Sequence, residues 1–298
     1  MLEILAIVTD GLAYAAYLFI VAAGLSLIFG VMKVLNIAHG AFYAFGAYGA
    51  ATAVGITFAR GWPAAVGFAS MIVVAMVLGA IVGVALERGL LRFLYGRDEV
   101  ILALVTYASF LVLEDVIILV WGPGTLSAYQ PLEAAGNFSV AGLLLSGYDA
   151  GLVAVAAVLA IGTHLGLRHT RHGRLLTAVI FDREAAAAFG VNVTVVFAVT
   201  FALGAALGGL AGAVMAPKIA VTLGIGVEVI VLAFAVVAIG GMGSMEGALL
   251  GALIVGLCRA ATVHLVPQLE LFVIFAVMAV VLAFRPRGLF ARAQPRRI

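Results

Sequence analysis

Charge is what this sequence has least of: Asp, Glu, Lys and Arg make up 10% of its 298 residues, while 65% are apolar. That ratio excludes a soluble globule, whose surface needs more polar side chains than this chain owns. Lysine occurs only as Lys33 and Lys218, followed by valine and isoleucine, so there is no G-x-x-x-x-G-K-[ST] loop to cradle ATP phosphates. The single cysteine, Cys258, lies inside an apolar run, which removes both a disulfide framework and a cysteine metal site. H-E-x-x-H is missing, and neither Ser26 nor Ser244 sits in G-x-S-x-G. An enzyme, a metal centre, a cofactor held by this chain and a nucleic-acid partner are therefore not expected.

What the chain does have is long hydrophobic runs. Runs near 20 residues are helical spans rather than the roughly ten-residue alternating strands of a barrel, because lipid leaves every backbone polar group to be satisfied internally. Nine such runs are read, at residues 11–32, 38–59, 63–86, 100–121, 149–167, 193–216, 227–242, 247–266 and 268–284. The expectation is an all-α polytopic membrane bundle of about 8 to 10 spans, a single domain over residues 1–298. The first run lacks a basic leader and a small-residue cleavage site, so it reads as a mature helix.

Arginine and lysine set the orientation. They gather at Lys33, at Arg88, Arg92 and Arg97, at Arg168, Arg171, Arg174 and Arg183, and in the tail at Arg285, Arg287, Arg292, Arg296 and Arg297. Positive loops stay in the cytoplasm, which places the N-terminus outside and the C-terminus inside, and leaves Arg60 and Lys218 in exterior loops. The loop over residues 122–148 is then exterior, with Trp121 and Tyr129 as interfacial anchors and room for a short helix lying on the membrane.

Small residues crowd residues 204–212 and 240–251, as helices in close contact require. Gly240, Gly241, Gly243 and Gly247 also weaken a helix by about 1 kcal/mol each. Two readings stand for this second stretch: close packing, or a half-helix beside the translocation path, with Ser244 among its polar groups. Asn36, His39 and Gly40, followed by Phe42 and Tyr43, are further candidates for the path, placed at the cytoplasmic entry of the second span. For His39 a hydrogen bond to a neighbouring helix is the alternative to contact with substrate. A faint similarity between residues 37–50 and 239–251 hints at an internal repeat, with parallel copies by span count. Among charges inside spans, Arg259 is expected to pair with Glu114, Asp115 or Glu228.

The segment GRLLTAVIFDREAAAAFGVNV, residues 173–193, is too polar to span but has helix-forming composition. It reads as a short helix projecting from the bilayer within a loop at about 168–192, ending near Phe189, with Gly190 as its C-cap and Asn192 or Thr194 capping the next span. Its stretch DREAAAAFG, carrying Asp182, Arg183, Glu184, Ala185, Ala186 and Gly190, resembles the cytoplasmic EAA loop of ABC importer permeases. TFAL at residues 200–203 departs from the I-x-L-P continuation of the maltose-type branch. GLSLIFGVMKVLNIAHGAFYAFGAY, residues 24–48, and AFAVVAIGGMGSMEGALLGALIVG, residues 233–256, are similar to the N-[IF]-A-H-G and GGxGSxxGAxxG segments of LivH-type permeases of branched-chain amino acid importers.

The resemblance implies a bacterial or archaeal inner-membrane permease subunit that moves branched-chain or other hydrophobic amino acids inward. It further implies two cytoplasmic ATPase subunits carrying ATP and Mg, a second, LivM-type permease, a periplasmic or extracellular solute-binding protein, and membrane lipids as surroundings. An ion- or proton-coupled transporter or channel acting alone is the alternative. It predicts an ionisable ladder at mid-depth that the sequence does not display.

Overall fold

The structure, a computed structural model, describes residues 2–140 and 142–290. Arg292, Arg296 and Arg297 of the basic tail lie outside the described residues. The chain is all-α apart from one small hairpin. Its helices are α1 (Leu2–Met32), α2 (His39–Ala59), α3 (Ala64–Gly89), α4 (Glu99–Trp121), α5 (Gln130–Ala135), α6 (Gly147–His169), α7 (Arg171–Phe181), α8 (Arg183–Ala188), α9 (Val193–Met215), α10 (Ile225–Gly240), α11 (Met245–Leu265) and α12 (Glu270–Phe284). Every one of the nine apolar runs contains a helix, and, with α12 extended by the 3-10 turn Pro267–Leu269 before it, 8 of these are long and apolar enough to cross a membrane. The remaining one, α10, has 16 residues and is about 24 Å long, short of the roughly 30 Å hydrocarbon core.

Composition decides which helices go to the centre. Glycine- and alanine-rich α2 and α9 bring their backbones together with α1, because small side chains permit an approach that lipid tails cannot improve upon. A Cβ on Gly46 would lie 2.1 Å from the Gly209 carbonyl oxygen, and one on Gly212 would lie 2.0 Å from that of Tyr43. Helices rich in branched side chains go outside: Val73 of α3, Leu119 of α4, Val158 of α6 and Phe272 of α12 all point away from the protein. That apolar rim needs lipid around it.

Helix directions follow from paired contacts. Gly24 of α1 meets Gly204 and Leu207 of α9 while Ile28 meets Gly204, so α1 and α9 run in opposite senses. The same holds for α3 on α9, through Ala75 with Gly209 and Gly79 with Ala205, and for α11 on α1, through Gly243 with Gly30 and Leu257 with Gly11. The first turns of α2 and α10 cross, with a Cβ on Gly40 falling 2.4 Å from the Gly226 oxygen and one on Gly226 falling 2.6 Å from the Gly40 oxygen. Helices α1, α2 and α3 thus relate to α9, α10 and α11 by an approximate inversion. Residues 37–50 and 239–251, similar in sequence, do run parallel, since α2 and α11 both oppose α1, but they are not equivalent places in this inversion.

All described basic clusters fall at one end of the bundle. The C-terminal ends of α1 and α3, with α7, α8 and the start of α9, meet there in a second apolar cluster built from Val31, Leu91, Val179, Ala186 and Phe197. Leu289 and Phe290 donate backbone hydrogen bonds to Ile239 and Gly240 at the same end. Arg60 and Lys218 lie at the other end, with the 122–146 connection. That connection contains α5 and an antiparallel hairpin, β1 (Asn137–Val140) with β2 (Leu143–Ser146), and Trp121 is tied inward by its Nε1 donating to Thr52 at 2.9 Å.

Candidate functional site

The first candidate region is an interruption between α1 and α2. The chain leaves α1 at Met32, turns at Lys33 with φ 56°, and runs back into the bundle. His39 therefore opens α2 deep in the bundle rather than at the cytoplasmic surface that the sequence suggested. It is 0% exposed, and its Nε2 lies 3.1 Å from the Val21 carbonyl oxygen, deep in α1. Val21 lies about 16 Å from the end of α1 at Met32 by helical rise. Non-helical backbone this deep needs partners, and α4 supplies them: the Thr106 hydroxyl accepts from the Ile37 N–H and donates to the Leu35 carbonyl, both at 3.2 Å. Nothing in the sequence flagged Thr106.

Asn36 is likewise 0% exposed, and neither its amide nitrogen nor its oxygen has a hydrogen-bond partner. Buried amides without partners are costly, of order 1–3 kcal/mol, and such groups mark places where water or a ligand supplies the missing bonds. Ser26 and Thr200 also have buried hydroxyls without partners. Phe42 is buried and edge-on to both His39 and Phe201, with centroids 6.0 and 5.8 Å away. Gly40 is the point where α2 crosses α10.

A second interruption faces the first. After α9 the chain pairs Val221 with Leu126 by two backbone hydrogen bonds, passes Gly224 in the left-handed region at φ 80°, and starts α10 against α2. These two interruptions, at 33–38 and 216–224, are the breaks beside the bundle centre.

The Gly240 segment does something else. Gly241 and Gly243, at φ 102° and 81°, make a tight turn between α10 and α11, and the Ser244 hydroxyl caps α11 by accepting from the Gly247 N–H at 3.0 Å. A Cβ on Gly240 would lie 2.1 Å from the Gly247 oxygen. Packed against Gly30 near the end of α1, this turn belongs to the basic end of the bundle. The path candidates therefore occupy two places rather than one.

The expected pairing of Arg259 is corrected. Its guanidinium bonds Glu270 and lies 3.9 Å from the Tyr14 ring centre. The short α11–α12 turn puts Glu270 beside it, and among the described residues Glu114, Asp115 and Glu228 form no ion pair with it. Two more pairs close the same end, Lys218 with Asp149 and His264 with Asp10, the latter at 2.8 Å.

The segment expected to project as one short helix is two, broken at Asp182. The Asp182 carboxylate accepts from the N–H groups of Glu184 and Ala185 at 3.0 and 2.9 Å, so it caps α8. Gly190 ends α8 at φ 82°, with Val191 N–H donating to the Ala186 carbonyl at 3.0 Å, and Asn192 caps α9 by accepting from Val195 N–H. Ala186 is buried as an anchor, while Asp182, Arg183, Glu184 and Ala185 are exposed and Phe189 is 89% exposed. Nearby, burial and the Glu87 carboxylate push the Tyr95 hydroxyl up, so it remains a donor to Glu87 at 2.9 Å.

Comparison with known proteins gives a consistent picture. The family described as branched-chain amino acid transport system / permease component matches residues 7–282. The high-affinity branched-chain amino acid transport system permease protein BraD of Pseudomonas aeruginosa is 26% identical, over 97% of this chain and 96% of that one. LivH of Escherichia coli is 27% identical, over 98% of this chain and 95% of that one. Among solved structures, PsaBC from Streptococcus pneumoniae in complex with Fab aligns over 96% of this chain and 92% of that one, at 15% identity with a TM-score of 0.47.

Proposed function

The chain belongs to the branched-chain amino acid permease family, and from that premise we propose that it is the membrane-spanning subunit of an importer for branched-chain or other hydrophobic amino acids. Hydrolysis of ATP with Mg is assigned to two separate subunits, since this chain has no phosphate-cradling loop. The basic end faces the cytoplasm by the positive-inside rule. The opposite end, with Arg60 and Lys218, receives solute from an external binding protein in a bacterial or archaeal inner membrane. A second permease of LivM type completes the pore.

The observation that carries this reading is α8: a capped, two-turn helix at the basic end that keeps Arg183, Glu184 and Phe189 outside while Ala186 is seated in the bundle. As the coupling element, Asp182 to Gly190 moves as a unit when the ATPases close. Polar contacts come from Arg183 and Glu184, and Ala185 lets the partner approach closely. The path runs beside the two interruptions, where Asn36 and His39 offer polar groups and α2 and α10 begin with their dipoles' positive ends, suited to an amino acid carboxylate. The glycines from Gly240 to Gly247, with Ser244, act at the inner end as a rigid corner next to α7.

The test is a pull-down of the solubilised chain from its own cells, comparing wild type with Glu184→Arg and identifying the ATPase and permease that come with it. An ATPase recovered with wild type and lost with Glu184→Arg is the expected result. No ATPase with either chain would sink the proposal and favour a transporter working alone.

A further inference from the structure

Beside α7 and α8 a groove of about 610 Å³ opens between α6, α7 and α9. Its walls are apolar: Leu167 from α6, Leu176 from α7, and Val195, Val199 and Leu203 from α9. Those α9 residues recur at four-residue spacing, one face of a helix, and are 47%, 52% and 53% exposed, although most of α9 is buried core. On α9 the groove runs from Val195 to Leu203, about 12 Å of helical rise, within the roughly 15 Å depth of one leaflet's hydrocarbon.

Its mouth is cationic. Arg171 and His172 line it, and Arg174 follows one turn along α7. Among the described residues no carboxylate pairs with Arg171 or Arg174, whereas Arg168 is taken by Glu246 at 3.0 Å. Helix α7 turns Val179 into the bundle and keeps Arg171 and Arg174 exposed, the pattern of a helix lying in the plane of the membrane surface.

We propose that this groove holds an acyl chain of an anionic phospholipid, with the phosphate between Arg171 and Arg174. A groove contained within one leaflet, open along its side, fits a lipid chain. A helix from a second permease would cross the full bilayer and would leave the two arginines unpaired. Basic side chains at such a surface favour anionic over zwitterionic headgroups by roughly five-fold each. Bound there, the lipid packs against Phe189 and Gly190 at the end of α8, within reach of the coupling element.

The test uses the full chain with whatever partners it retains, in nanodiscs containing phosphatidylglycerol and phosphatidylcholine, followed by extraction and native mass spectrometry of retained lipid. Wild type is expected to keep phosphatidylglycerol preferentially, and Arg171→Gln with Arg174→Gln to lower that retention by roughly 25-fold. Leu203→Trp, which fills the groove and spares both arginines, is expected to lower it too. Unchanged retention in Leu203→Trp would mean the rim takes phosphate alone and would overturn the proposal, as would equal retention of the two lipids. Cross-linking of Leu203→Cys to another permease chain would also overturn it and give the groove to a subunit contact. Val199→Phe replaces Leu203→Trp if the latter elutes as aggregate.

Discussion

The crossing of α2, α9 and α10 and the projecting pair α7–α8 are built on opposite terms. At the crossing, backbones touch: Gly46 and Gly209, Gly40 and Gly226, and Gly212 and Tyr43 leave no room for even a methyl group. At α8 nearly every side chain is exposed, and order comes from caps at each end, Asp182 and Gly190. A site of the first kind fixes the fold and tolerates no change, whereas one of the second kind stands by local hydrogen bonds and is free to be read by a partner. In this chain, therefore, a substitution at the centre tests packing, and one at α8 tests the proposed docking.

The comparison is broken most severely by Gly209→Leu. Its Cβ would fall 2.3 Å from the Ala75 oxygen, and backbone cannot yield as a side chain does, so a loss above about 4 kcal/mol is expected. The measurement is the yield of monodisperse protein after solubilisation, which should fall to near nothing. Arg259→Met comes next. It strips Glu270 of its partner and Tyr14 of its cation, in surroundings between fully exposed and fully buried, at about 1–3 kcal/mol. A double-mutant cycle with Glu270→Leu should recover much of that loss.

Asp182→Ala probes the other region. It removes two cap bonds and should cost about 1 kcal/mol, confined to α8. Faster hydrogen exchange at residues 184–188, with the melting temperature nearly unchanged, is the expected signature. Glu184→Arg is the smallest in stability, within about 0.5 kcal/mol of wild type, and the sharpest functionally, because it should abolish ATPase recovery from a fully folded chain. A large drop in melting temperature for Glu184→Arg would erase the distinction between the two regions.

Much of the α7–α8 region was legible in the sequence because its determinants are local. Gly190 as a left-handed cap, Asn192 as the next N-cap and the exposure of Arg183 and Glu184 depend on residues within a turn of each other. The break at Asp182 is not legible, since helix-forming composition runs through it and only the cap bonds show that Asp182 starts a new helix. The central region was legible only in composition. Residues 204–212 read as a contact helix, but neither the partners of those glycines nor the depth of His39 could be read, because each depends on residues more than a hundred positions away or on a turn that doubles back at Lys33. For Arg259 the sequence points to Glu114, Asp115 or Glu228, because nothing local shows that the α11–α12 turn brings Glu270 beside it.

By itself the sequence determined the membrane spans, their number to within one, the clustering of basic loops and the projecting DREAAAAFG segment, all of which follow from hydropathy, charge and residues near one another. Tertiary structure decided where the spans are interrupted, that Gly240 to Ser244 is a corner rather than a half-helix, and which side chains are left buried without partners. The physical reason is that lipid rewards every apolar helix about equally. Only the close approach of particular backbones, set by glycines far apart in the chain, selects one arrangement among the many that hydropathy allows.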